Sequence, residues 1–394
     1  MNKKIFPLAL GGLAIGTTEF VIMGLLPDVA TDMNISIPKA GYLISAYALG
    51  VVIGAPLLVA LSGKYEHKKV LTALMLIFAL FNGLSALAPE YYSLLLLRFL
   101  SGLPHGAFFG IGSVVATKLA TEGKKAQYIS MMFTGLTVAN LAMVPLLTFA
   151  GHQTSWRYAF AIVGLLGIAT LIAIRKLLPV TINSNNTLKQ EMEFFASSKS
   201  WLIMLITAIG FGGLFAWFSY IAPLMIHVTL LPEKMVSYIM LLAGAGMVAG
   251  NIVGGYLADK MQPEKAAALL FILLVFSLIA VFFLSGNLYL SLGLTFICGA
   301  LSMAVGSPVN YLMIRSAKNS ETMAAAFMQA AFNIANSVGA FLGGIPLKMG
   351  LGFQYPAIVG AGMAFAGCLL CLLFIKRYSA PAEKKLESIT VGNI

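Results

Sequence analysis

Charge is what this chain has least of. Asp, Glu, Lys and Arg make up 10% of its 394 residues, where an average soluble protein carries about 25%. Hydrophobic residues reach 59% and mean hydropathy is +0.92, more apolar surface than a soluble domain can hide but well suited to a bilayer. Cysteine is scarce as well: Cys298, Cys368 and Cys371 all lie in apolar runs, so no disulfide framework is expected. Cys368-x-x-Cys371 has no accompanying histidine or second cysteine pair and reads as two small apolar residues in a span. No zinc motif, phosphate loop or basic stretch interleaved with aromatics occurs, so metals, cofactors and nucleic acid are not expected partners. No nucleophile–base pair falls within an apolar segment, which argues against a membrane enzyme.

What the chain has instead is apolar runs of about 20 residues. Twelve helices are predicted, over 5–27, 40–61, 70–88, 92–117, 127–149, 157–178, 201–228, 235–257, 265–285, 288–313, 322–347 and 353–375. The first run continues to Leu26, contains Glu19 and lacks a small-residue cleavage site, so it reads as a span and not as a signal peptide. Polar residues 180–200 read as a cytoplasmic linker between a bundle over 1–179 and a bundle over 201–377, with a tail over 378–394.

The few cations are unevenly spread. Twelve spans put both termini on one side, and twenty of the 25 Lys and Arg fall on that side. Four fall opposite (Lys39, Arg157, Lys234 and Lys348), and Arg98 lies within a span. The positive-inside rule therefore predicts cytoplasmic termini, and the net charge of +11 reads as a topology signal.

A repeat appears at an offset of 196 residues. Gly50 and Gly54 align with Gly246 and Gly250, Lys64 and Lys69 with Lys260 and Lys265, and Gly16 and Pro27 with Gly212 and Pro223. Asn140 aligns with Asn336. Two parallel six-helix halves of this kind suggest transport by alternating access, with a site between them.

Glu19 and Arg98 interrupt apolar spans. A charge at the bilayer centre costs about 2.5–3.5 kcal/mol on insertion scales, so such residues mark functional positions by default. Glu19 lies eight residues below Pro27 and Arg98 six residues beyond Tyr92, depths of about 12 and about 9 Å at the helical rise. An ion pair between them is geometrically allowed, as a proton site or as a structural bridge. The repeat positions of the two hold Phe215 and Leu294, so proton handling is expected in the first half only.

Three stretches carry a family resemblance: Gly16-Thr-Thr-Glu19-Phe20-Val-Ile-Met23-Gly24, the run Arg98–Gly110 containing Ser101, Gly102, Pro104, His105 and Gly106, and Ser155-Trp156-Arg157-Tyr158-Ala-Phe160. Over essentially its whole length the chain resembles the major facilitator superfamily, in its twelve-span drug:proton antiporter branch, and within that the arabinose-efflux-permease and sugar-efflux subgroup. Arg98-x-x-x-Gly102 resembles the family's conserved-arginine motif, implicated in proton transfer, and Pro145 matches the proline of the antiporter motif. Departures are Gly63 at the usual acidic position of the loop between the second and third spans, and Asn140 and Val144 where two glycines are usual. The resemblance implies an all-α membrane protein with the major facilitator fold, two pseudo-symmetric six-helix bundles in the inner membrane.

Proton coupling is expected at Glu19, with Arg98 as its partner. His105, two turns beyond Arg98 on the same face, suits a proton relay or an interhelical hydrogen bond. The candidate substrate cavity comprises Tyr47, Phe108, Asn140, Trp217, Asn333 and Asn336, which equally suit helix packing. Asp259 and Lys260, at a helix end, read as a cytoplasmic gate. The function expected is proton-coupled efflux of small organic compounds, drugs or sugars, by a monomer. Proton-coupled uptake of a sugar or nucleoside uses the same elements, and a non-transporting membrane sensor is the reading from another class.

Overall fold

A span in hydrocarbon must satisfy its own backbone N–H and C=O groups, and for these apolar stretches the helix is the solution. In the computed structural model, which describes residues 3–62, 65–121, 125–180, 197–316 and 321–378, no strand occurs among those residues. Most of the expected linker, nearly all of the expected tail, and Gly63 and Lys64 lie outside them.

Among the described residues, twelve helices are long and apolar enough to cross a membrane. In order, as spans 1 to 12, they are Phe6–Gly24, Ile37–Ser62, His67–Ala86, Tyr91–Leu119, Tyr128–Gln153, Trp156–Leu177, Ser198–His227, Glu233–Lys260, Pro263–Leu284, Leu288–Met313, Met323–Lys348 and Tyr355–Tyr378. Each overlaps one apolar run of the sequence.

The repeat returns as matched packing. In the first half span 2 packs on 4, 3 on 6, and 1 on both 5 and 6; in the second, 8 packs on 10, 9 on 12, and 7 on both 11 and 12. Its glycines explain the closest crossings. A Cβ on Gly50 or Gly54 would strike the Phe99 or Leu103 carbonyl of span 4, and on Gly246 or Gly250 the Phe296 or Ala300 carbonyl of span 10. Pro27 and Pro223 recur too, in the first turns of short helices, Leu26–Asp32 and Ile221–His227, where a missing N–H breaks no bond.

Span 7 is broken twice, into Ser198–Gly210, Gly212–Phe218 and Ile221–His227. Span 5 carries a π turn over Ala139–Met143, just before Pro145. Proline lacks the N–H that would close the preceding helical turn, and a π bulge accommodates the gap.

The halves meet along two related seams, span 2 with 11 and span 5 with 8. On the face away from the termini the first seam is shut. Ser45 donates to the Ser337 carbonyl at 3.0 Å and Ser337 returns a bond to the Ser45 carbonyl at 3.2 Å. Tyr42 stacks on Phe341 at 5.8 Å, and Lys348 Nζ sits 4.5 Å over the Tyr42 ring. At the second seam Gly244 lies against the Asn140 carbonyl with no room for a Cβ.

The Ser-Trp-Arg run serves this same face. Ser155 caps span 6 by accepting from the Arg157 N–H at 3.3 Å. Trp156 Nε1 and Arg157 Nη2 both donate to Asp32, at 3.0 and 3.1 Å, and Arg157 Nη1 reaches the Ala86 and Ala88 carbonyls. The motif ties span 6 to the ends of spans 1 and 3.

Candidate functional site

Arg98 is wholly buried in the first bundle. Its Nη1 donates to Thr18 Oγ1 at 2.9 Å and its Nη2 to the Thr18 carbonyl at 3.1 Å. Thr18 in turn donates to Asn82 Oδ1 at 2.5 Å, and Asn82 is held by donating to the Phe78 carbonyl at 2.9 Å. Spending its proton on Asn82 turns the threonine oxygen's lone pairs toward the guanidinium. Aromatic faces supply the rest: the Tyr47 ring lies 4.4 Å from Arg98 Cζ and the Phe160 ring 5.1 Å.

Glu19, next to Thr18 in sequence, is 2% exposed. The ion pair allowed by helix depth is corrected here: no contact-distance pair links Glu19 to Arg98 among the described residues. Threonine offers Arg98 two oxygens, which take Nη1 and Nη2, while Nε is buried without a hydrogen-bond partner. The direct partner of Glu19 is Asn336 of span 11, whose Nδ2 donates to Oε1 at 3.4 Å. This bond crosses from one bundle to the other.

Tyr47 links Arg98 to His105. Its ring covers the guanidinium while its hydroxyl lies 3.1 Å from His105 Nδ1. Gln329 of span 11 lies beside the same imidazole, so His105 too faces the second bundle.

The remaining candidates are dispersed. Asn333 and Asn336 are buried on span 11, and each keeps an Oδ1 without a hydrogen-bond partner. Asn140 sits in the π turn at the second seam. Phe108 is packed inside the first bundle, where its ring fills the space a Cβ on Gly11 would need. Trp217 shares a helix side with Gly213, one turn back, which abuts the Gly360 carbonyl of span 12. Trp217 is buried with its ring 5.7 Å from that of Phe218, and span 7 aromatics reach the first bundle through Phe215 and Phe218, 6.4 and 6.1 Å from the Phe20 ring, and through Tyr220, whose hydroxyl fills the space a Cβ on Gly41 would need. Asp259 and Lys260 are exposed at the terminus face, with Lys260 Nζ 5.9 Å over the Tyr256 ring of its own helix.

Thr18, Asn82 and Gln329 complete the arrangement, and the sequence carries no signal for them. Threonine, asparagine and glutamine in spans commonly bond their own helix or a neighbour.

The family model described as Major Facilitator Superfamily matches residues 8–327. The chain is 38% identical over 375 residues to the "Putative transporter AraJ" of Escherichia coli (strain K12), covering 95% of each chain. It is 29% identical over 344 residues to the "Chloramphenicol resistance protein" of Streptomyces lividans, covering 86% of this chain and 88% of that one. A crystal structure of a D-xylose-proton symporter superposes with a TM-score of 0.77 at 16% identity, over 94% of this chain and 97% of that one, a likeness of fold.

Proposed function

The chain belongs to the Major Facilitator Superfamily, and from that premise we propose that it exports small organic compounds in exchange for protons. Membership makes it a membrane transporter, not an enzyme. The finer reading rests on one observation: among the described residues, the side-chain hydrogen bond of Glu19's carboxylate goes to Asn336 of the opposite bundle.

A carboxylate in that position couples proton and motion. Glu19 accepts from Asn336 while the bundles are closed on the face away from the termini. When the seam of spans 2 and 11 parts, that donor leaves, while Arg98 stays anchored to Thr18 in the first bundle. The surroundings of the carboxyl therefore differ between the two states, and so does its hold on a proton. Tyr47 and His105 form the proton path beyond Arg98, and Asn336, Asn333 and Tyr47, with Phe20, Phe215 and Phe218, face the substrate. Asn140 serves from the second seam. The charge asymmetry supports cytoplasmic termini in an inner membrane, with Asp259 and Lys260 at the cytoplasmic mouth. Export is favoured over uptake by the resistance named for the Streptomyces relative. A monomer is the expected working unit.

The test is flux in proteoliposomes under an imposed pH gradient. Glu19→Gln keeps an oxygen that can accept from Asn336, so the protein should fold while proton-driven flux collapses. Wild-type rates in that variant would end the mechanism, and the sign of wild-type flux separates export from uptake.

A further inference from the structure

On the face opposite the termini, three metal-ligating side chains converge from distant parts of the sequence. They are Asp28 of the short helix after span 1, His152 at the end of span 5, and Glu233 in the turn that opens span 8. Each offers one ligand atom, and these atoms lie within 4.8 Å of one another.

The histidine is prepared in an unusual way for a surface residue. Its side chain is only 3% exposed, with Nδ1 3.0 Å from both oxygens of Asp28. Its other nitrogen, Nε2, is buried without a hydrogen-bond partner. Buried polar atoms are rarely left without a partner, and those that are call for an explanation. A bound cation supplies one.

We propose that Asp28, His152 and Glu233 form a binding site for a divalent transition-metal cation of the zinc class. One imidazole and two carboxylates suit such an ion, with water completing the four-coordinate shell. Magnesium and calcium prefer all-oxygen shells and are disfavoured by the imidazole. The consequence is conformational. Asp28 and His152 belong to the first bundle and Glu233 to the second, so all three meet only while this face is closed. A cation bound there stabilises that state at the expense of the other, in proportion to its concentration over its dissociation constant.

The experiment titrates zinc chloride into the purified full-length protein in detergent and follows thermal unfolding. Zinc should raise the melting temperature of the wild type, and magnesium at the same concentration should not. Glu233→Gln changes an exposed side chain and leaves the Asp28–His152 contact, so it should fold normally and lose the zinc shift. His152→Gln should lose it as well. No shift in the wild type, an equal shift with magnesium, or a shift that persists in either variant would overturn the site.

Discussion

Arg98 is bound to Thr18 and not to Glu19, although the two residues are neighbours in sequence. The guanidinium reaches both the hydroxyl and the carbonyl of Thr18, at 2.9 and 3.1 Å. Glu19 is thereby left to the opposite bundle, through Asn336 at 3.4 Å. This division of partners separates a fixed charge from a movable one.

Thr18→Val tests the fixed part. It removes the acceptor of Arg98 Nη1 and the donor to Asn82 while keeping the side-chain shape. Interhelical hydrogen bonds in membranes average about 0.6 kcal/mol, but bonds to a charged group reach about 1.5–3 kcal/mol. Because Arg98 is wholly buried, the larger figure should govern and the loss should exceed about 1 kcal/mol. Thr18→Ser should restore most of it. Thermal unfolding in detergent measures both, and a loss indistinguishable from zero in Thr18→Val would contradict the anchor.

Tyr47 has two separable contacts. Tyr47→Phe keeps the ring over Arg98 and removes the hydroxyl from His105, so it should cost about 0.5–1.5 kcal/mol. Tyr47→Ala removes the ring also and should cost at least about 3 kcal/mol. If His105 carries protons, Tyr47→Phe should slow proton-driven flux while leaving substrate binding intact. Unchanged flux would remove His105 from the path.

The paired serines of the seam give a prediction about state. Ser45→Ala and Ser337→Ala each delete one bond across the interface. Each should shift the closed-to-open ratio on that face by roughly two- to tenfold, from about 0.5–1.5 kcal/mol per bond. The native cysteines are all buried, so a single cysteine introduced at Phe341 can report opening by its labelling rate. A rate unchanged in the double alanine variant would show that these bonds do not hold the face shut.

Glycine substitutions should divide sharply by place. At Gly54 a Cβ meets the backbone of Leu103, and at Gly250 that of Ala300, so Leu at either should cost about 3 kcal/mol, the upper end for overpacking. At Gly83 and Gly362 a Cβ meets nothing within 4 Å, and alanine there should be neutral or stabilising by up to about 1 kcal/mol. Melting temperatures of the four variants check the contrast. A tolerated leucine at both Gly54 and Gly250 would mean that the crossings are looser than described.

How much of this was legible without coordinates follows from the range of each interaction. The spans were readable because membrane insertion is a local sum over about 20 residues. The repeat was readable because Gly50, Gly54 and Pro27 recur as Gly246, Gly250 and Pro223, residue types whose backbone demands are strong. Glu19 and Arg98 stood out because charge is costly in hydrocarbon. Partners were another matter. Depth along a helix allowed a Glu19–Arg98 pair, but depth says nothing about rotation around the axis. Trp217 could not be aimed from the sequence either, since span 7 breaks on both sides of Gly212–Phe218 and helical phase does not carry across a break.

Sequence alone therefore determined the solvent this chain lives in, the number of its spans, its internal symmetry and the two charges worth attention, because each is written in local composition or in a fixed offset. Tertiary structure alone decided that Arg98 answers to Thr18, that Glu19 answers to Asn336 across 317 residues, and that Asp28, His152 and Glu233 share one corner. Those pairings depend on how helices are rotated and crossed, which is set by packing between elements that lie far apart in the chain.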